Sequence, residues 1–438
     1  MRKMAAAVAC CVLVACSATA PARAEEARQP GAPNAQAYLH YSLGRLMEVS
    51  GALSDALVQY RRANTLDPSH CEVTIAMART LYALGRLEEA GVGSLAALEI
   101  CPDNLQALAI RGEILLAGGD PGAAERLLRD VARDSEAPRE LAVLYGHSLL
   151  SVGRADDGVA YLRSRAEVDS LDPDIASMLG RALLLTDDAE GAVNEFRRAV
   201  RLDPDSRAVR GMLSRLLIAL DRPEEGVPML EWMLSRYDAV EPEYISLAAG
   251  YSMMGEPERA QAVLDTAAAR FGETAPILRA RGAAYFGSGD TDSAMEAYER
   301  LLLLDGNSVA ALNFIAYTLA DEGRDLERSL DYAGRAVELE PDNPLLRDTL
   351  GWAYFKLGRL EEARRQLDLA VELGGENPII LEHLGDVLSE LGDTERAVAV
   401  WTQALEMSPG SASTIERIEA AGSTPPEELR APSNEESR

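Results

Sequence analysis

Three strings in this chain have the residue types of a reaction centre. Gly91-Val92-Gly93-Ser94-Leu95-Ala96 carries the paired glycines of a dinucleotide loop, where bare backbone N–H groups approach a pyrophosphate. Gly146-His147-Ser148-Leu149-Leu150 begins like an elbow that presents a serine nucleophile. Gly118-Gly119-Asp120-Pro121-Gly122 has the pliancy of a phosphate cradle. Each lacks a necessary companion: the first a preceding strand, the second a closing glycine, the third a lysine to reach the phosphate. His40, His70, His147 and His383 stand far apart, without metal-ligand spacing. Carboxylate pairs such as Glu361-Glu362 open helical segments, where negative charge suits the helix dipole. The expectation is a non-enzymatic protein with no catalytic residue, no metal and no cofactor.

What positions these residues is a repeat. From Ala37 the sequence steps by 34, opening frames at 37, 71, 105, 139, 173, 207, 241, 275 and 309, and one extra residue near Arg324 moves the last two to 344 and 378. The eighth position is small in all of them: Gly44, Ala78, Gly112, Gly146, Gly180, Ser214, Ala248, Gly282, Ala316, Gly351 and Gly385. The twentieth is small too, from Ala56 and Ala90 to Ala363 and Ala397. Between them falls a turn residue such as Gly119 or Gly358, replaced by Asp187 and Asp221 in two frames. Apolar residues at helical spacing on either side give two amphipathic helices per frame, and the small positions let their backbones approach. One such pair cannot bury its own apolar face, so the pairs must stack.

On this frame the dinucleotide look-alike lies inside a second helix, the elbow inside a first helix, and the cradle at the turn between two helices. Asn104, Asp172, Ser206, Thr274, Ser308, Asn343 and Asn377 stand where helix N-caps are needed. Arg165 breaks the pattern at a position that wants a small buried residue. Glu136, Asp238, Gly272 and Gly306 replace helix-ending prolines, and looser packing is expected around them.

The pattern resembles the tetratricopeptide repeat (TPR) family, whose unit is a 34-residue helix–turn–helix. The resemblance covers Ala37 to Ser411. It implies an all-α fold, a right-handed α-solenoid superhelix of about eleven units. First helices would line a concave groove that binds a protein or peptide. The groove positions it implies include the ninth of each frame, which reads Arg45, Arg79, Glu113, His147, Arg181 and Arg215 in the first six. Later frames supply Phe286, Asn313, Phe314, Tyr317, Trp352 and Phe355, and the last supplies Glu382, Asp386 and Glu390. The expected groove is segmented, with arginines for carboxylates, aromatics for apolar anchors, and an acidic end for basic residues. The alternative is that the aromatic part, with Trp352 and Tyr317 stacking, takes a glycan or small molecule. The lysine and asparagine pattern of chaperone-binding TPR proteins does not match these positions.

The formal net charge of -28 argues against nucleic acid as a partner, since that needs a basic face. Arg2 and Lys3 followed by apolar Met4 to Ala15 read as an export signal too short to span a bilayer. Leu13-Val14-Ala15-Cys16 resembles a bacterial lipobox, which implies cleavage after residue 15, lipidation of Cys16 and a periplasm-facing outer-membrane address. The rival is cleavage after Ala24, leaving a soluble periplasmic or secreted chain. Residues 16–36 read as a flexible tether, 412–422 as a short capping helix, and 423–438 as a disordered tail. Cys71 and Cys101 open and close one helical pair, so they could be bonded to each other or remain free thiols.

Overall fold

The computed structural model describes residues 34–430 apart from 135 and 375–376. The expected signal, Cys16, the tether up to residue 33 and the last eight residues lie outside the described residues. Among the described residues there are twenty-three α-helices, α1 (Ala35–Val49) to α23 (Ala412–Ala420), one 3-10 turn at Glu427–Leu429, and no strand. None of these helices is long and apolar enough to cross a membrane.

Odd-numbered helices are the first helices of each frame and even-numbered ones the second. The fold is an α-solenoid in two compact units divided at Asp187/Asp188. The first unit runs through α9 (Pro173–Leu184); the second begins at α10 (Ala189–Leu202). Within each unit a helix packs on the next in the chain. First helices also touch one another, as α5 (Leu105–Ala117) touches α7 (Arg139–Ser151) and α17 (Val309–Asp321) touches α19 (Pro344–Lys356). The first helices are thus the crowded, inner side of each unit.

Small and large side chains interlock as the spacing demands. A Cβ added at Gly44 would stand 2.5 Å from the Tyr60 ring, at Gly282 2.7 Å from Tyr298, and at Gly351 2.7 Å from Leu367. Each large residue follows its glycine on the paired helix. It fills the space that the missing side chain leaves and is itself buried. At the turn, Gly119 adopts φ +77°, and where glycine is missing Asp221 is held at φ +58°. The inserted residue near Arg324 is absorbed by Asp325, also left-handed at φ +39°.

The caps follow the sequence with two exceptions. Asn104, Asp172, Thr274, Asn343 and Asn377 accept hydrogen bonds from first-turn N–H groups. Ser206 and Ser308 occupy the cap position, but their side chains make no such bond.

Loose packing around Arg165 is not what forms. Its side chain is only 4% exposed. It donates to the carbonyls of Asp134 (3.4 Å) and Ala137 (3.0 Å) and to the Asp169 carboxylate (2.8 Å), bracing the loop in which Glu136 replaces the helix-ending proline. In the second unit, Glu243 stands where other frames put an aliphatic residue, and is buried. It takes a two-point bond from Arg207, Nε at 2.9 Å and Nη2 at 2.7 Å. Cys71 and Cys101 are joined by a disulfide, their Cα atoms 6.1 Å apart.

The tail departs from the expected disorder as far as it is described. Gly410 N–H donates to the Leu429 carbonyl at 2.9 Å, and Leu429 packs on the last apolar cluster. Residues 423–430 are therefore part of the fold.

Candidate functional site

In the first unit the arginine ladder is partly neutralised from within. Arg45 (3.3 Å) and Arg79 (3.1 Å) both reach Glu48, and the Tyr60 hydroxyl donates to the same carboxylate at 2.6 Å. Burial, and then this bond to Glu48, pushes the Tyr60 phenol well above its ordinary value. Glu48 lies outside the ninth-position ladder, so the frame reading passed over it. Beyond it, Ile75, Arg79, Gln106, Ile110, Glu113 and Glu140 line a cleft of about 150 Å³. Burial raises the Glu113 carboxyl above the usual carboxylate range, Glu140 adds to this, and Arg79 opposes it. Further along, burial lowers the His147 imidazole and the neighbouring Arg181 guanidinium lowers it further. Arg181 itself is exposed, and among the described residues no carboxylate pairs with it.

The second unit carries Arg215, likewise exposed, and the aromatic stretch. Here the structure divides the expected cluster in two. Phe286, on α15 (Ala275–Gly287), is 52% exposed and stands edge-on to Phe314 with ring centroids 5.2 Å apart. Phe314 in turn rests on Tyr298 at 4.3 Å, and half-buried Asn313 and Tyr317 share its helix. Phe286 is the open ring of this half, while Tyr317 packs toward the other half, its ring 6.4 Å from that of His383.

Trp352 belongs to the other half and is only 7% exposed. Its ring stacks on His383 (4.0 Å, 17°) and on Phe355 (5.0 Å, 20°), with Lys356 Nζ 4.7 Å from its centroid. A ring so covered has no face left for a sugar, and Trp352 is packing rather than platform. What fixes it is a pair that sequence reasoning missed. His383 Nδ1 lies 2.8 Å from Asp348 Oδ1, both side chains buried, on first helices of adjacent frames. The carboxylate selects the tautomer with a proton on Nδ1 and holds the ring parallel to the indole. The signal was present as Asp348 at the fifth and His383 at the sixth position of successive frames, yet their separation of 35 residues hides it.

The acidic end is also not open as expected. Arg417, on α23, donates to both oxygens of Asp386 (2.7 and 3.1 Å) and stands 3.7 Å from Glu382, which also accepts from the Thr414 hydroxyl. The chemistry expected of Glu382 and Asp386, holding a basic group, is realised by the chain's own capping helix. Glu390 stays exposed. Among the described residues no group of three or more His, Cys, Asp or Glu could hold a metal ion.

Family models of known proteins agree with this architecture. Tetratricopeptide repeat family models match residues 263–409, 144–207, and 72–91 with 105–130. The TPR repeat-containing protein PA4667 of Pseudomonas aeruginosa is 34% identical over 61 residues, which is 14% of this chain and 10% of that protein. The match thus spans about a tenth of that relative's length. Among solved structures, yeast Tom70 gives a TM-score of 0.47 at 14% identity, covering 88% of this chain and 95% of that one. The Cut9-Hcn1 hetero-tetramer of the APC/C gives 0.48 at 12%, covering 89% and 90%.

Proposed function

We propose, on the premise that this chain is a tetratricopeptide-repeat protein, that it is an adaptor which holds a protein partner on the inner face of its second unit. The observation that carries the reading is Phe286, a large aromatic ring left 52% exposed on the edge of half-buried Phe314. Large aromatics presented on rigid helices are the residues that concentrate binding energy in protein interfaces. An extended segment with an apolar or aromatic anchor fits such a surface. Arg215, exposed on the same unit and unpaired among the described residues, suits a carboxylate elsewhere on that segment. A glycan is disfavoured because Trp352, the ring best suited to one, is enclosed.

The workplace we propose is the bacterial envelope, within a secretion, assembly or polysaccharide-export complex, with Cys16 as a lipid anchor. Support for this comes from the sequence of residues 1–16 alone. Two experiments test the proposal. Photo-crosslinking from position 286 in intact cells is expected to trap a defined protein, and Phe286→Asp is expected to abolish that adduct formed from position 314. Since Phe286 is a surface residue, helix content should not change. If the trapping pattern is unaffected by Phe286→Asp, the aromatic surface is not the binding site. Metabolic labelling with palmitate, lost in Cys16→Ala, tests the anchor separately.

A further inference from the structure

The first helix of this solenoid carries, on the side away from α2 (Leu53–Leu66), an apolar stripe that nothing among the described residues covers. In later frames the third, seventh and tenth positions of a first helix are the seam beneath the preceding second helix. Ile175, Leu179 and Ala182 are buried in this way in the first unit, and Ile380, Leu384 and Val387 in the second. The same positions in α1 (Ala35–Val49) are Leu39, Leu43 and Leu46, and all three are exposed. Tyr38 and Val49 extend the stripe, so that Leu39 is 56%, Leu46 67% and Val49 84% exposed. A terminal repeat ordinarily turns a polar face outward. The other end of the array does so, for the exposed residues of α23 are Ser413, Glu416 and Glu419 with two alanines, Ala412 and Ala420, and no large apolar side chain.

We infer that the stripe Leu39-Leu43-Leu46 of α1 is a contact between two copies of this chain, packed as an antiparallel helix pair about a two-fold axis. Four observations select this occupant. The seam positions are shaped for a helix, and α1 is a helix carrying such a stripe. Read in reverse, the stripe is its own complement, since an axis between Ser42 and Leu43 sets Leu39 on the partner's Leu46 and small Ser42 beside the partner's Leu43. Head-to-tail stacking is disfavoured because α23 offers a polar face. Residues 17–33 contain alanine and proline but no larger apolar side chain to set against three leucines.

Charge points the same way. α1 holds one arginine and one glutamate, a neutral strip on a chain of net charge -28. It can meet its own copy without local repulsion, which the acidic remainder of two such chains would not allow. The pair would bury on the order of 400 Å² per copy, about half of what a stable interface takes from each partner. The association is therefore weak, with a dissociation constant on the order of tens of micromolar.

Sedimentation velocity of the full chain between about 1 and 500 μM is expected to show a concentration-dependent shift from one to two copies. Leu39→Ser with Leu46→Ser should abolish the shift without altering ellipticity or melting, because both side chains are already in water. A photo-crosslinking residue placed at Ser42 should yield a covalent dimer joined between the two α1 helices, and one placed at exposed Val92 should not. A chain that stays monomeric throughout overturns the inference. So does a crosslink from position 42 to residues 4–15 of the same chain. A monomer that co-floats with zwitterionic liposomes only while Leu39 and Leu46 are intact would assign the stripe to a lipid surface instead.

Discussion

Replacing Gly385 by alanine tests the interlock on which the fold rests. Gly385 lies in α21 (Pro378–Glu390) opposite Trp401 of α22 (Thr394–Met407). The added Cβ would fall 2.3 Å from Trp401 Nε1 and 2.5 Å from Cδ1. The indole is 3% exposed, and its Nε1 donates to the Glu382 carbonyl at 3.3 Å. It can yield only by leaving that bond and pressing on Leu384 and Leu405 around it. Overpacking of this kind costs about 1–3 kcal/mol and the lost hydrogen bond about 1, while helix propensity returns about 1 for glycine to alanine. The net expectation is a loss of about 2 kcal/mol.

Gly112→Ala is the internal control. There the Cβ meets a methyl of Leu128 at 3.0 Å, a contact that a small rotation relieves, so strain and propensity roughly cancel. Urea unfolding followed by tryptophan emission and by ellipticity reads both variants. Because a repeat array is held by nearest-neighbour interfaces, the Gly385 variant should show emission changing before ellipticity as the last repeat opens. A Gly385→Ala midpoint equal to or above the parent, with Trp401 emission unmoved, would refute steric enforcement of the eighth position.

Three further outcomes are expected. Arg165→Leu leaves the buried carbonyl of Ala137 without its donor, costing about 1–3 kcal/mol and admitting protease between residues 133 and 138, read by limited digestion. The His147 imidazole, held below its ordinary value first by burial and then by Arg181, adds stability that is complete above the unfolded value near 6.5. That contribution fades as pH falls through the unfolded value toward the folded one, and Arg181→Ala should raise the His147 midpoint in an NMR titration. Reducing the Cys71–Cys101 bond, which spans 30 residues, should lower unfolding stability by about 3–4 kcal/mol in a denaturant series with and without thiol.

The architecture was legible because the contact that makes it is local. Gly44 meets Tyr60, Gly282 meets Tyr298 and Gly385 meets Trp401 at a constant offset within one frame, so a period in the sequence is a period in space. The inner face was harder. Spacing tells which side of a helix Trp352 is on, but not that His383, one frame later, lies across it. Arg417 was missed for a related reason: it sits on a helix beyond the frames, so no position in the pattern announced its reach to Asp386. Arg165 misled because a rule about size ignores length. A long side chain can leave a crowded crossing and find carbonyls at the loop, where a branched one of similar bulk cannot.

The Arg417 bridge makes the carboxyl end of this chain a resident competitor. Any cationic segment seeking Asp386 must first evict a guanidinium that is already in place and never diffuses away. Whatever loosens α23, whether cleavage, a bound neighbour or a single exchanged base, would therefore uncover two acidic side chains a long way along the sequence from the Phe286 surface. Partner choice could then be retuned from the chain's terminus without altering one residue of the aromatic patch.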